Sequence, residues 1–259
     1  MDVFTVDSVR AQLGDVCDII MLDNTDSSNT EAKRLAALGA KENTLVIAKK
    51  QTQGRGRMGR SFLSNEENGI YMSLILRPDM PVSESVDITV IGALAVAEAI
   101  EKVSGAECGI KWVNDVYIGD KKVAGILTES CISYTDMRLD YAIIGIGVNV
   151  TEPSGGFDPS IRDIATSIYK DSAPNGVKSL LLSEIIKSFL EYYTKLSDKK
   201  YMDDYRRRSN IIGKAVEVYR GNEVISGIAV GIDDNANLII ESDGKAMTFN
   251  SGDARVRKQ

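Results

Sequence analysis

The sequence predicts an α+β fold in which a mixed sheet with packed helices is followed by a small β-barrel. Three observations carry that expectation. Apolar runs of strand length alternate with segments whose apolar residues recur at helical spacing, as in Thr44 to Ala48 beside Asn29 to Leu38. Past Gly213 the texture changes to short alternating strands, with turn signals at Arg220-Gly221-Asn222, Asp233-Asp234-Asn235 and Ser242-Asp243-Gly244. The length of 259 residues exceeds one average domain of ~150 residues without reaching two. The chain therefore divides into a larger domain over residues 1–211 and a smaller one over residues 212–259.

Val3 to Leu13 reads as a short peripheral helix and Asp18 to Leu22 as a strand. Asn29 to Leu38 places Ala32, Leu35, Ala36 and Leu38 at helical spacing, and Ser28 with Glu31 has the form of a capping box. Thr44 to Ala48 is a buried strand, followed by a Gly/Arg-rich loop to Ser61. Ile70 to Leu76 is the next strand, stopped by Pro78. Ser83 to Val103 is a long helix, with Ser83 or Ser85 as N-cap and Gly105 as its stop. Strands follow at Gly109 to Trp112, Val116 to Ile118, Lys122 to Ser130 and Asp140 to Val150, and Gly119-Asp120 signals a hairpin. Residues 151–160 form a loop, and helices are predicted over Ile161 to Tyr169 and Val177 to Arg207.

Histidine is absent, and 31 basic against 37 acidic side chains give a net charge of −6. The missing imidazole removes Ser-His-Asp and Cys-His nucleophilic catalysis and His-containing zinc sites. Chemistry is left to Lys, Arg, Asp, Glu, hydroxyls, backbone amides and a hard metal. The three cysteines, at 17, 108 and 131, form no CxxC pair, so they read as small buried hydrophobes in a reducing cytoplasm. The amino-terminal Met-Asp-Val-Phe-Thr-Val-Asp lacks the basic and apolar stretches of a secretory signal. Val90 to Ile100 is too short to cross a bilayer. A cytoplasmic protein without a membrane or DNA partner is expected, the acidic balance opposing duplex DNA.

Four segments carry chemistry. Gln51-Thr-Gln-Gly-Arg-Gly-Arg-Met-Gly-Arg60, counted from Lys49, holds five cations in twelve residues and no acid. Its glycines allow close backbone approach to a ligand, and its arginine forks suit phosphate or carboxylate. It is not a Walker A loop, which needs G-x-x-x-x-G-K-[ST]. Lys111-Trp112-Val113-Asn114-Asp115 places three polar side chains beside the single tryptophan, itself a core candidate; such groups are costly unless paired or functional. Lys122-Val-Ala-Gly-Ile-Leu-Thr-Glu129 brings an ammonium to a buried strand, either facing an anion or merely exposed at the strand start. Gly145-Ile-Gly147-Val-Asn149 puts glycines inside a strand, which marks a close ligand approach or tight packing.

In this order the segments resemble the catalytic core of the biotin–protein ligase family, of the biotin–[acetyl-CoA-carboxylase] ligase type. The resemblance runs from about Asp18 to Asn149 through GRGRMGR, KWVND and KVAGILTE, then less specifically into the terminal barrel, which it makes SH3-like. It implies a biotin- and ATP-binding catalytic domain. The Gly/Arg loop, Gly54, Arg55, Gly56 and Arg57 through Arg60, would fold over biotin and the adenylate, with Arg55 holding the phosphate and limiting escape of the intermediate. Gln51 would lie on the biotin side, and Ser27, Ser28 and Asn29 would bond the ureido ring. Lys122 would contact the biotin carboxylate and the α-phosphate, while Gly125, Gly145 and Gly147 line the biotin wall. Arg57, Arg60, Lys111, Asn114 and Asn149 would face the nucleotide, and Phe62 stands where some members place an aromatic against adenine. Val113 replaces the proline of the common KWPND form, and Ser28 replaces a threonine.

The implied reaction needs no imidazole. Biotin carboxylate attacks the α-phosphorus of MgATP, forming biotinyl-5′-AMP, and a lysine of a biotin carboxyl carrier domain then attacks the mixed anhydride, with Asp115 as the candidate proton acceptor. Lys122, Arg55 and Lys111 supply the cationic stabilisation. ATP with Mg2+ and biotin enter as substrates, no tightly bound prosthetic group is implied, and the residues name no metal ligands. With the catalytic pattern beginning by residue 18, the expectation is the class without a DNA-binding repressor segment. Family members occur as monomers and homodimers, and no feature of the sequence decides between them. Three other readings stand beside this one: a lipoate–protein ligase, a non-catalytic biotinyl-AMP sensor, and nucleic-acid binding through the basic loop.

Overall fold

A computed structural model describes residues 4–133, 135–221 and 223–257. Val3, which begins the predicted amino-terminal helix, and Asn222, in the first predicted barrel turn, lie outside the described residues. The apolar strand runs assemble into one seven-stranded mixed sheet. Its first two strands, β1 (Asp18–Thr25) and β2 (Thr44–Gln51), are parallel, because helix α2 (Ser28–Ala37) returns the chain between them. Preceding them is α1 (Val6–Leu13), capped by Thr5 and Ser8. β3 (Gly69–Leu76), buried along its whole length, runs antiparallel to β2.

After α3 (Val86–Ser104) come β4 (Cys108–Lys111), β5 (Asp115–Ile118), β6 (Lys121–Ser133) and β7 (Arg138–Asn149), giving the order β1-β2-β3-β7-β6-β5-β4. The late pair β6–β7 thus inserts beside β3 at the sheet centre, with Gly125 opposite Gly147, Leu127 opposite Gly145, and Gly145 opposite Ser73. α3 ends as expected at Gly105, in the left-handed region at φ 73°, and the Gly119 turn joins β5 to β6 at φ 58°. Cys17 and Cys108 are buried, which pushes both thiols up to about 12, while Cys131 is partly exposed; all three are free.

Three local expectations are corrected. The Ser28–Glu31 capping box does not form: Ser27 occupies the N-cap without a side-chain bond, the Ser28 hydroxyl meets Ser73 at 2.8 Å, and Glu31 binds Arg34. Ile161 to Tyr169 is not a helix. Its apolar spacing is helical, but β6 and β7 offer competing partners: Lys122 N–H donates to Ile164 O and Thr166 N–H to Lys122 O, both at 2.8 Å, and Tyr169 N–H donates to Val150 O. Val177 to Arg207 breaks into α4 (Val177–Tyr193), a 3₁₀ turn at Leu196–Asp198 and α5 (Tyr201–Arg207), with Lys199 left-handed at φ 53° and its ammonium on Asp87 at 2.9 Å.

The chain closes with β8 (Ala215–Arg220), β9 (Glu223–Ile232), β10 (Leu238–Ser242), β11 (Lys245–Phe249) and β12 (Asp253–Val256), a five-stranded antiparallel SH3-like sheet ordered β11-β10-β9-β8-β12. The 233–235 and 242–244 turns form where expected, the first around the Asp233 carboxylate, which accepts from Asn235 N–H and Asn237 N–H. This unit shares core with the larger one. Trp112, 3% exposed, donates its indole N–H to Ala236 O at 2.7 Å, and the Arg206 guanidinium donates to Ile232 O. The Trp112–Val113 peptide bond is cis.

Candidate active site

A cleft of about 1200 Å³ opens over β3, β7 and β6, roofed by the Gly/Arg loop and flanked by the last strand of the small unit. Strand alternation puts Gly145 and Gly147 on one face, about 7 Å apart, with Gly125 level with Gly147 on the neighbouring strand. The absent side chains make a trough. A Cβ at Gly145 would lie 2.0 Å from Asn29 Oδ1, one at Gly147 2.8 Å from the Phe62 ring, and one at Gly125 2.9 Å from Lys122 Nζ. All three glycines line the cleft.

Around Gly145 lies a buried polar group. Ser28 N–H donates to Gln51 Oε1 at 2.8 Å, and Gln51 Nε2 donates to Ser64 Oγ at 2.9 Å. Ser73 Oγ contacts Asn29 Oδ1 at 2.6 Å, and Asn29 Nδ2 donates to Glu129 Oε2 at 2.9 Å. Ser27, Ser28, Asn29 and Gln51 all line the cleft. Their placement follows from topology: β1 delivers the α2 N-terminus over the sheet, and β2 ends at Gln51 beside it.

The second group is charged. Lys122 Nζ pairs with Asp115 Oδ1 at 2.7 Å across the β5–β6 hairpin, its backbone clamped by residues 164–166. Arg57 donates to Asn114 Oδ1 at 2.9 Å, and Asn114 Nδ2 donates to Ile126 O. Arg60 donates to Asp253 Oδ2 at 2.5 Å, and Lys111 Nζ stands 4.0 Å from Asp253 Oδ1. Burial lowers the affinity of Lys111 and of Arg57 for the proton, against the pull of Asp115 and Asp253. Burial raises the Asp253 carboxyl, but its bonds to Arg60 and Arg255 outweigh that and hold it below the usual carboxylate range.

Three implied positions fall differently from the rest. Gly54 does not line the cleft; a Cβ there would strike Phe62 O at 2.3 Å and Ser64 Oγ at 2.4 Å, so this glycine packs the loop base. Arg55 turns to Glu129 at 3.2 Å, beside Lys33 at 2.7 Å, and it is Arg57 that joins the Asn114 side. Phe62 lies across Gly147, edge to face with Tyr71 at 6.2 Å. Gly56 and Asn149 line the cleft, with Asn149 Nδ2 donating to Thr166 O. Sequence reasoning missed Ser73, Glu129 and Asp253. Glu129 closes the quoted KVAGILTE motif and so carried a signal; Asp253 carried none. Among the described residues no group of three or more Cys, Asp or Glu side chains forms a metal site, and no helix is long and apolar enough to cross a membrane.

A glycine trough under an arginine loop joins a buried polar group to converging cations, an arrangement suited to an enzyme that holds a polar ligand beside an anion and stabilises negative charge. The sequence model of the biotin/lipoate A/B protein ligase family matches residues 21–149, and that of the biotin protein ligase C-terminal domain matches residues 211–257. The bifunctional ligase/repressor BirA of Bacillus spizizenii is 38% identical over 232 residues, covering 86% of this chain and 69% of that protein. The biotin–[acetyl-CoA-carboxylase] ligase of Mycobacterium tuberculosis is 31% identical, covering 88% of this chain and 85% of its own. The structure of the Aquifex aeolicus biotin protein ligase in complex with biotin and ATP superposes with a TM-score of 0.76 at 29% identity, over 93% of this chain and 99% of that one. The chain belongs to the biotin/lipoate A/B protein ligase family, among its biotin protein ligases.

Proposed function

We infer that the chain is a biotin–[acetyl-CoA-carboxylase] ligase that forms biotinyl-5′-AMP from biotin and MgATP and passes the biotinyl group to a lysine of a biotin carboxyl carrier domain. The observation that carries this reading is the juxtaposition, along one glycine trough, of the buried Ser28–Asn29–Gln51 group with the Lys122, Arg57 and Lys111 cations. The first suits a small polar ring, and the second suits a carboxylate and a phosphate about to join.

In the proposed sequence, a biotin carboxylate oxygen attacks the α-phosphorus and pyrophosphate leaves. Lys122 moves from Asp115 to the reacting carboxylate and α-phosphate, and Arg57, Arg60 and Lys111 face the phosphates. Arg55, tied to Glu129, anchors the loop over the bound ring rather than holding the phosphate. Magnesium enters with the nucleotide as MgATP. In the second step the acceptor lysine amine attacks the acyl carbon and AMP leaves; Asp115, released by Lys122, takes the amine proton. The larger catalytic domain ends near residue 211, and the unit over 212–259 contributes Asp253 to the nucleotide end. The carrier domain as partner and a cytoplasmic location complete the reading.

Biotin-dependent exchange of labelled pyrophosphate into ATP tests it. Exchange with biotin and little with lipoate is expected; exchange driven by lipoate instead would make the chain a lipoate ligase.

A further inference from the structure

We propose that Ser73 and Glu129 are positioning residues that set substrate specificity: acting through Asn29, they direct a hydrogen-bond chain so that Ser28 presents the cleft with an acceptor and selects a ring that carries N–H donors. The proposal rests on the biotin reading and deepens it. None of the resemblance's implied contacts involves Ser73 or Glu129.

The direction of the chain follows from counting protons. Glu129 is held ionised by Lys33, Asn29 and Arg55, which outweigh its burial and keep its carboxyl below the usual range. An ionised carboxylate and a backbone carbonyl only accept. Both face the same nitrogen: Asn29 Nδ2 stands 2.9 Å from Glu129 Oε2 and 3.4 Å from Leu127 O. The Asn29 amide therefore has one orientation, with Oδ1 towards Ser73 as acceptor at 2.6 Å. Ser73 is wholly buried and has a single hydroxyl proton, which this bond consumes. The 2.8 Å contact between Ser73 Oγ and Ser28 Oγ must then use the Ser28 proton.

Ser28 has now spent both its donors, since its backbone N–H lies on Gln51 Oε1. What it offers the cleft is a lone pair. A ureido ring meets that lone pair with an N–H. The dithiolane ring of lipoate has no donor and leaves the 4%-exposed Ser28 unpaired on binding, a penalty that discriminates between acids sharing a similar tail.

The test measures dissociation constants of biotin and lipoate by calorimetry for the wild-type protein, Ser73→Ala and Glu129→Gln. In each variant the preference for biotin over lipoate is expected to fall about tenfold, the order set by one misdirected buried hydrogen bond. Glu129→Gln also frees Arg55, but a looser loop weakens both ligands alike and leaves the ratio to report on the ring. Should Ser73→Ala fail to fold, Glu129→Gln carries the result alone. Biotin and lipoate weakening by the same factor, or an unchanged preference, overturns the proposal while leaving the biotin reading intact. A wild-type protein that binds no biotin overturns the reading itself.

Discussion

Replacing Gly145 by alanine tests the trough directly, because the backbone there accepts any residue and only space is at issue. The new Cβ would start 2.0 Å from Asn29 Oδ1 and 2.7 Å from its Cγ. To reach ordinary contact at 3.4 Å, Asn29 must retreat by about 1.4 Å. It cannot do so and keep its bonds to Ser73 at 2.6 Å and Glu129 at 2.9 Å. Losing one such bond while a polar atom stays buried costs about 1–3 kcal/mol of the ring site's order, while overpacking burdens the folded protein with or without biotin. Biotin is expected to bind about 5- to 140-fold more weakly, at 1.4 kcal/mol per tenfold. Gly231→Ala is the control: its Cβ would have no neighbour nearer than 3.9 Å, and binding should not change. Calorimetric titration with biotin reads both. A folded Gly145→Ala protein that binds biotin as tightly as the wild type would refute the argument that Asn29 and this glycine shape the ring site.

Lys122→Ala should slow adenylate formation by about 100-fold or more, as for loss of one transition-state charge contact. It should barely lower the melting temperature, because a partly exposed ion pair contributes little to folding; equal loss of both would make Lys122 a structural lysine. Arg57→Gly should release biotinyl-AMP faster than Arg55→Gly does, since Arg57 is the loop arginine bonded at Asn114; labelling of bystander lysines beside a carrier measures the leak. Asp253, whose carboxyl titrates below its ordinary 3.8, binds fewer protons folded than unfolded, so its contribution is present above that value and lost as pH falls through the lower one. Asp253→Asn should flatten the acid side of the melting-temperature profile; an unchanged profile would remove Asp253 from the clasp on Arg60.

The parts of the fold that were legible from sequence are those whose residues answer to their immediate surroundings. β3 and most of α3 are apolar because they are buried, and Gly105 and Gly119 adopt positive φ where a helix stops and a hairpin turns. The segment over 161–169 misled because its apolar spacing is helical while its backbone partners, Lys122, Asn149 and Val150, come from distant strands. Ser28 and Glu31 misled similarly: local capping lost to Ser73 and Arg34. The site shows the same division. Motif glycines and the loop arginines stand out by type and spacing, while Lys122 is singled out only through the family resemblance. Asp253, 193 residues from Arg60, and Ser73, 44 residues from Asn29, become part of the site only through the sheet order that brings them there. The missing histidines acquire a positive meaning too: every charged partner in the cleft is a lysine, arginine or carboxylate, which suits a reaction whose nucleophile arrives as an anion.

The central claim is two-step transfer, and incubation with labelled biotin, MgATP and a biotin carboxyl carrier domain tests it most directly. The account predicts biotinyl-AMP as an intermediate and label fixed covalently on one carrier lysine, with none when ATP is left out. Biotin that binds but yields neither adenylate nor labelled carrier would contradict the account and make the chain a biotin-binding sensor.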